Sequence, residues 1–311
     1  MPMQKTQGAC FLFGTLSFPV PKPKAYWEKP LILLRKSKNW RFSFMARIII
    51  AAISLIMVAA TIVEAAETVS FKSSIKRLFR EPITLTGKLT KPQGNWPFPA
   101  VVLLHECSGI NKYQDAWAKK LLIWGYVSLQ VDSFGPRGYS NICTNSGAIR
   151  ELPPLRAQDA YDAKSYLAKL NFVDPQRIAV MGWSHGGWTV LNAVTLKLGD
   201  PFRASVAFYP YCSEDLNRVN APLIILIGDK DDWTPASNCL QMMPRQGRAK
   251  SEVILKIYPG AYHCFDCEGR DDNVLGAASW GGQASFRLLY DPAAAADAII
   301  QVKEFFAKHL K

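Results

Sequence analysis

Downstream of residue 80, short apolar runs alternate with stretches of helical spacing. Residues 83–89 alternate apolar and polar positions, which predicts a half-exposed antiparallel edge strand. Residues 100–105, Ala-Val-Val-Leu-Leu-His, form a continuous apolar run of the kind buried on both faces of a parallel sheet. Residues 113–124 have helical spacing, and 126–131 read as the next strand. Over 156–170, Ala160, Ala163, Leu167 and Leu170 fall on one stripe, which predicts a helix. Residues 172–176 read as a turn into a strand at 177–181. Further strands are predicted at 204–209, 222–227 and 253–258, and further helices at 188–198, 235–243 and 292–310. Residues 269–286 have weak periodicity and read as a loop. Strands alternating with helices over the whole length predict an α/β fold, with a mostly parallel, doubly wound sheet and helices on both faces.

The first 65 residues do not share this pattern. Residues 48–63 are almost unbroken apolar sequence, preceded by Met45-Ala46-Arg47 and followed by Val63-Glu64-Ala65. A short basic start, an apolar stretch and small residues at a cleavage position are the pattern of a secretory signal peptide, here residues 45–65. A retained membrane anchor is the competing reading, but the run is short for a full span. Residues 1–44, rich in lysine and carrying Pro19, Pro21, Pro23 and Pro30, read as an upstream extension or leader, with translation starting at Met45. That leaves residues 66–311 as a single domain, exported to the periplasm or secreted, with no stable insertion in the membrane.

Removing the leader changes what the charge means. The whole chain carries 37 Lys and Arg against 25 Asp and Glu, a formal net charge of +12. Much of that excess lies in residues 1–65, and no basic stripe with interleaved aromatics follows, so a nucleic-acid partner is not expected. Cys107, Cys143, Cys212, Cys239, Cys264 and Cys267 make an even set after residue 65, consistent with disulfides in an oxidising compartment. Cys264 and Cys267 suit a local bridge. Cys212 and Cys239 fall on consecutive loops, and Cys107 and Cys143 follow neighbouring strands. Zinc is the alternative for the Cys264 pair, but the nearby histidine, His263, has a better use, so no metal is expected.

The chemistry begins at Gly182-Trp183-Ser184-His185-Gly186-Gly187, set between a predicted strand and a predicted helix. A G-x-S-x-G in that context is the nucleophile elbow of the α/β-hydrolases. Serine needs a base, and the chain has four histidines. His309 lies at the C-terminus, His185 follows the serine with its ring turned away, and His105 precedes it. The fold orders its triad Ser, then Asp or Glu, then His, which selects His263. The acid is expected in Gly228-Asp-Lys-Asp-Asp-Trp-Thr-Pro235. Asp231 is favoured on loop spacing, Asp232 is the runner-up, and Asp229 reads as a turn cap. The oxyanion donors are expected to be the backbone N–H groups of His185 and of Cys107, in the loop after residue 105. Trp183, Trp233 and Tyr262 flank these residues, either as walls of an acyl pocket or as plain packing.

Taken in order, His105-Glu106-Cys107-Ser108-Gly109, Asp132-Ser-Phe-Gly-Pro-Arg137-Gly138, the elbow strand through Gly187, Asp231-Asp-Trp-Thr-Pro235 and Tyr258-Pro-Gly-Ala-Tyr-His263 resemble the dienelactone hydrolase family over nearly all of residues 80–310. The resemblance implies hydrolysis of a small ester or lactone through an acyl-enzyme, with no cofactor. It also implies that Glu106 lies beside the nucleophile and that Arg137 faces the substrate. For Arg137 the alternative is a structural fork on loop carbonyls, and for Glu106 a loop ion pair. The chain departs from the best-known members in having serine rather than cysteine at 184, and Cys267 where they carry an arginine. Both differences point towards a secreted carboxylesterase. Two other classes fit less well: a serine peptidase of the prolyl-oligopeptidase type, and a non-catalytic binding module on a hydrolase scaffold.

Overall fold

The computed structural model describes residues 66–75, 82–95, 97–243, 251–278 and 282–311. The expected extension at 1–44 and signal peptide at 45–65 lie outside the described residues. Eight strands form the main sheet in the order β1-β2-β4-β3-β5-β6-β7-β8. They are β1 (Glu67–Lys72), β2 (Thr84–Thr90), β3 (Phe98–Leu104), β4 (Val127–Asp132), β5 (Val173–Trp183), β6 (Ser205–Phe208), β7 (Leu223–Gly228) and β8 (Val253–Tyr258). From β4 to β8 the pairings are parallel, while β1 and β2 join antiparallel.

Burial follows from this arrangement. β7, Leu-Ile-Ile-Leu-Ile-Gly, is buried at every position, as a strand covered on both faces requires. β1 buries only Val69 and Phe71, and it rather than β2 forms the sheet edge. With so few apolar positions, β1 gives too weak an alternation to announce a strand.

Among the described residues five α-helices accompany the sheet: α1 (Lys112–Ile123), α2 (Ser146–Leu167), α3 (His185–Thr195), α4 (Ala236–Met242) and α5 (Pro292–Leu310). The β3–β4 crossover runs one way along the sheet and the later crossovers run the other way. Right-handed connections therefore place α1 on one face and α2 with α3 on the opposite face. Helix α5 returns to the α1 side, where Phe306 meets Tyr126 with ring centroids 5.9 Å apart.

Two elements differ from expectation. Helix α2 begins at Ser146, capped by the side chain of Asn145, and runs through Pro153 and Pro154; the sequence pattern places its start at 156, after the prolines. Residues 269–286, expected as a loop, contain the antiparallel hairpin β9 (Asp271–Ala277) and β10 (Gln283–Leu289). The hairpin and the loops at the C-terminal ends of the strands share a second, smaller core that includes Phe134, Leu152, Trp233, Phe286 and Leu288. Disulfides Cys107–Cys143 and Cys264–Cys267 sit in this core, and Cys212–Cys239 joins the main one. Such bridges point to a non-cytoplasmic compartment. Among the described residues no helix is long and apolar enough to cross a membrane, and no cluster of ligating side chains could hold a metal ion.

Candidate active site

Ser184 stands at the junction of β5 and α3 with φ 52° and ψ −115°, a left-handed backbone that a serine adopts only under constraint. The surrounding glycines explain how the chain accepts it. A Cβ on Gly182 would run into the carbonyl of Gly186, one on Gly186 into the carbonyl of Leu104, and one on Gly187 into the carbonyl of Phe208. The turn is anchored by Ser184 N–H donating to Phe208 O at 2.9 Å, and by Trp188 N–H donating to Ser184 O at 2.9 Å. This lifts the hydroxyl above the C-terminal edge of the sheet, where α/β folds gather their loops.

The loops after β7 and β8 bring the other two side chains to it. Lys230 N–H donates to Ala261 O at 3.0 Å, and a Cβ on Gly228 would strike that same carbonyl, so the two loops lie in direct backbone contact. His263 Nδ1 lies 2.8 Å from Asp231 Oδ2, and His263 Nε2 lies 3.0 Å from Ser184 Oγ. All three side chains are buried. Asp231 also accepts from the backbone N–H groups of Trp233 at 3.0 Å and Thr234 at 2.8 Å. A carboxylate in that position accepts the proton on Nδ1, leaving the Nε2 lone pair towards the serine. Asp232 is turned away and accepts from Arg287 N–H, whereas Asp229 caps Gly260 N–H at 2.7 Å.

The backbone N–H of His185 heads the first turn of α3, where no intrahelical acceptor exists. Cys107 and His185 both border the cavity above Ser184, as two oxyanion donors would. The imidazole of His185 is held by α2. Its Nε2 donates to Ile149 O at 3.0 Å, and its Nδ1 bonds Arg156 Nη1. The i→i−4 partner of Ile149 O would be residue 153, which is a proline with no N–H. The proline therefore frees a carbonyl that the histidine occupies, and this fixes the tautomer of His185. Burial, reinforced by the Arg156 charge, holds the pKa of His185 well below its ordinary value. Arg156 is itself fully buried, and burial lowers it to about 9 despite the nearby Asp159. Its Nη2 donates to His105 O at 2.6 Å, so one guanidinium joins the elbow to the loop of Cys107. Sequence reading did not find Arg156, because its role depends on the His105 carbonyl and the His185 ring, contacts that no spacing reveals. Thr234 was also missed; its hydroxyl lies 3.0 Å from Asp231 Oδ2 and 3.2 Å from His263 Nδ1.

Of three expected substrate contacts, Arg137 and Trp183 come out differently and Glu106 keeps its place near the serine. The fork of Arg137 is spent on Asp159, at 2.8 and 2.9 Å, and on Ser133 O at 2.7 Å. Arg137 is therefore structural and does not face the substrate. Trp183 is fully buried and donates from Nε1 to Asp266 at 3.1 Å, so it packs beneath the site rather than lining it. Glu106 accepts from Ser108 Oγ at 3.0 Å and from Asn111 Nδ2, not from an ion-pair partner. It does border a cavity shared with Ser184 and His263, and burial pushes its carboxyl up from the ordinary range. Trp233, by contrast, lines the space around Ser184 and stacks on Phe286 at 4.9 Å.

The chain resembles known proteins in sequence and in fold. A family model described as the dienelactone hydrolase family matches residues 85–310. A Bradyrhizobium protein named "Probable 2-oxo-3-(5-oxofuran-2-ylidene)propanoate lactonase" is 28% identical over 200 residues, 59% of this chain and 79% of that protein. The crystal structure of dienelactone hydrolase from Anabaena variabilis superposes with a TM-score of 0.56 and 17% identity, covering 80% of this chain and 100% of that one. An acylaminoacyl peptidase from Pyrococcus horikoshii superposes with a TM-score of 0.57 and 19% identity, over 83% of this chain and 43% of the peptidase. At these identities the two structures are alike in fold.

Proposed function

The chain belongs to the dienelactone hydrolase family, and from that premise we propose that it is an exported serine hydrolase that cleaves a carboxylic ester or lactone through an acyl-enzyme. The observation that carries this reading is the continuous hydrogen-bonded series from Asp231 through His263 to Ser184, at 2.8 and 3.0 Å. In this mechanism Ser184 Oγ attacks the carbonyl carbon while His263 Nε2 takes its proton. Asp231 holds the ring in the reactive tautomer and stabilises the imidazolium. The N–H groups of Cys107 and His185 receive the oxyanion. The imidazolium protonates the departing alkoxide, and water then repeats the sequence on the acyl-enzyme. Export rests on the leader pattern at 45–65 and on the three disulfides.

Ser184→Ala is expected to abolish turnover of p-nitrophenyl acetate, a fall of about 10³-fold or more, while the protein unfolds at the wild-type temperature. Turnover within a few-fold of wild type would refute the assignment. A peptide bond is the second substrate class that this constellation serves, supported by the likeness to the Pyrococcus acylaminoacyl peptidase. Parallel assays on acyl-peptides and esters separate the two readings.

A further inference from the structure

Ser184 opens onto two cavities of different chemistry. One, of about 310 Å³, is walled mainly by Ile149, Trp188, Tyr211, Trp233 and Ala278, with Arg150 at its border. The other, of about 240 Å³, brings Glu106, Ser108, Asn141 and Arg270 to the same serine. Cys107 and Trp233 border both cavities. Apolar side chains make up most of both walls, the second through Val274, Leu275 and Leu288, but the second adds a carboxylate, a hydroxyl, an amide and a guanidinium and is the more polar of the two.

The reacting groups are divided unequally between them. His263 borders the polar cavity and not the apolar one, whereas His185, whose N–H is the proposed oxyanion donor, borders the apolar one. At a tetrahedral carbon on Ser184 Oγ, three directions remain to be filled. The oxyanion points at the amides of Cys107 and His185. The leaving oxygen must lie towards His263 Nε2, the only acid of the relay able to protonate it. The acyl substituent is left with the remaining direction, into the apolar cavity.

Resting on the esterase reading above, we infer that the substrate class is an ester of a bulky apolar acid, of aromatic-ring size, with a small hydroxyl-bearing alcohol. The acid lies in the cavity of Ile149, Trp188 and Tyr211, and the alcohol in the cavity of Glu106, Ser108 and Asn141. The first step forms the Ser184 Oγ–acyl bond and breaks the acyl–O bond. The bonding pair leaves on the alcohol oxygen, which takes from His263 Nε2 the proton that came from Ser184. Water then enters through the vacated polar cavity, on the side of His263. It gives one proton to the imidazole as its oxygen bonds the acyl carbon, and Ser184 recovers that proton when its own bond to the acyl group breaks.

Two isomeric esters test the orientation with the full mature protein. In 2,3-dihydroxypropyl benzoate the apolar group is the acid and the diol is the alcohol; in benzyl glycerate the roles are exchanged at identical composition. Each kcat/KM is divided by that ester's rate of hydrolysis by hydroxide, which removes intrinsic reactivity. The benzoate is expected to lead by about tenfold or more, the discrimination that a mismatched pocket typically gives. It is also expected to lead propyl benzoate, which lacks the two hydroxyls, by about fivefold, through the hydrogen bonds of the polar cavity. Equal rates for the isomers, a lead for benzyl glycerate, or no advantage over propyl benzoate overturns the inference, as does inertness of all three esters. Turnover of p-nitrophenyl acetate, measured alongside, shows whether the esterase reading survives: if wild type fails on that ester too, it is the parent reading that falls.

Discussion

Glu106 carries the clearest consequence at the scale of single residues. Burial pushes its carboxyl up, opposed by bonds from Ser108 and Asn111 and by the nearby His263. Between the ordinary carboxylate range and this raised value, the folded protein holds a proton that the unfolded chain has released. The stability Glu106 contributes therefore declines as pH rises through that window. Glu106→Gln keeps an acceptor for Ser108 but does not titrate. The difference in unfolding free energy between wild type and variant, followed by urea denaturation from about pH 4 to about pH 8, is expected to move in the variant's favour as pH rises. A difference that moves the other way contradicts the raised pKa. Individual residues also mark the limit of sequence reading. Asp231 was favoured on loop spacing, but what separates it from Asp232 is its contact with His263 and its bonds from two backbone amides. For Arg137 the sequence leaves a substrate clamp and a structural fork both open, because the partner that decides between them, Asp159, lies 22 positions away on α2.

Among the elements, α2 shows how a boundary escapes the sequence pattern, and the β9–β10 hairpin how a whole element does. A proline inside a helix removes a donor and usually ends the helix, so Pro153 and Pro154 argued against the first turns of α2. In the folded protein His185 Nε2 takes the carbonyl that Pro153 leaves free, a compensation visible only across α2 and α3. The hairpin opens with Asp271-Asp272-Asn273 and buries few side chains of its own. It gains a reason to form from Trp233 stacking on Phe286 and from Leu289 N–H donating to His263 O at 3.3 Å. The disulfides act at this scale too. Cys107 and Cys143 are 36 residues apart, and Cys212 and Cys239 are 27 apart; chain-entropy reasoning gives each bridge about 4 kcal/mol. Replacing either pair with serine is expected to cost a similar amount of stability in urea unfolding. Only the Cys107/Cys143 pair should also lower kcat at a temperature where both variants are folded, because it holds the loop of the proposed oxyanion donor. Equal kcat for the two double variants removes that role.

Across the whole molecule, Asp266 ties distant parts of the chain together. Its carboxylate accepts from Trp117 on α1 at 2.8 Å, from Trp183 at the end of β5 at 3.1 Å, and from Tyr209 after β6 at 2.7 Å. Burial raises its pKa, and these three donors oppose the rise. Asp266→Ala strands three buried donors and should cost about 3 kcal/mol or more. For a domain of this size that is a fall in Tm of roughly 6–12 °C. Asp266→Asn, which keeps one acceptor, should recover part of the loss. A Tm for the alanine variant within about 2 °C of wild type would show that the three donors do not depend on this carboxylate.

What the sequence determined by itself was local and periodic. Continuous apolar runs announced strands buried on both faces, and the glycines around Ser184 announced a turn too tight for side chains. The order of serine, aspartate and histidine narrowed the site to a few candidates. The tertiary structure decided what depends on which surfaces meet. It set Asp231 rather than Asp232 against His263, withdrew Arg137 and Trp183 into the scaffold, recruited Arg156 and Thr234, and opened Ser184 onto two cavities, the more polar of them beside His263. A hydrogen bond or a cavity wall is a relation between segments distant in the chain. Periodicity records only which face of a segment is buried, so that relation exists only after the sheet has brought the loops together.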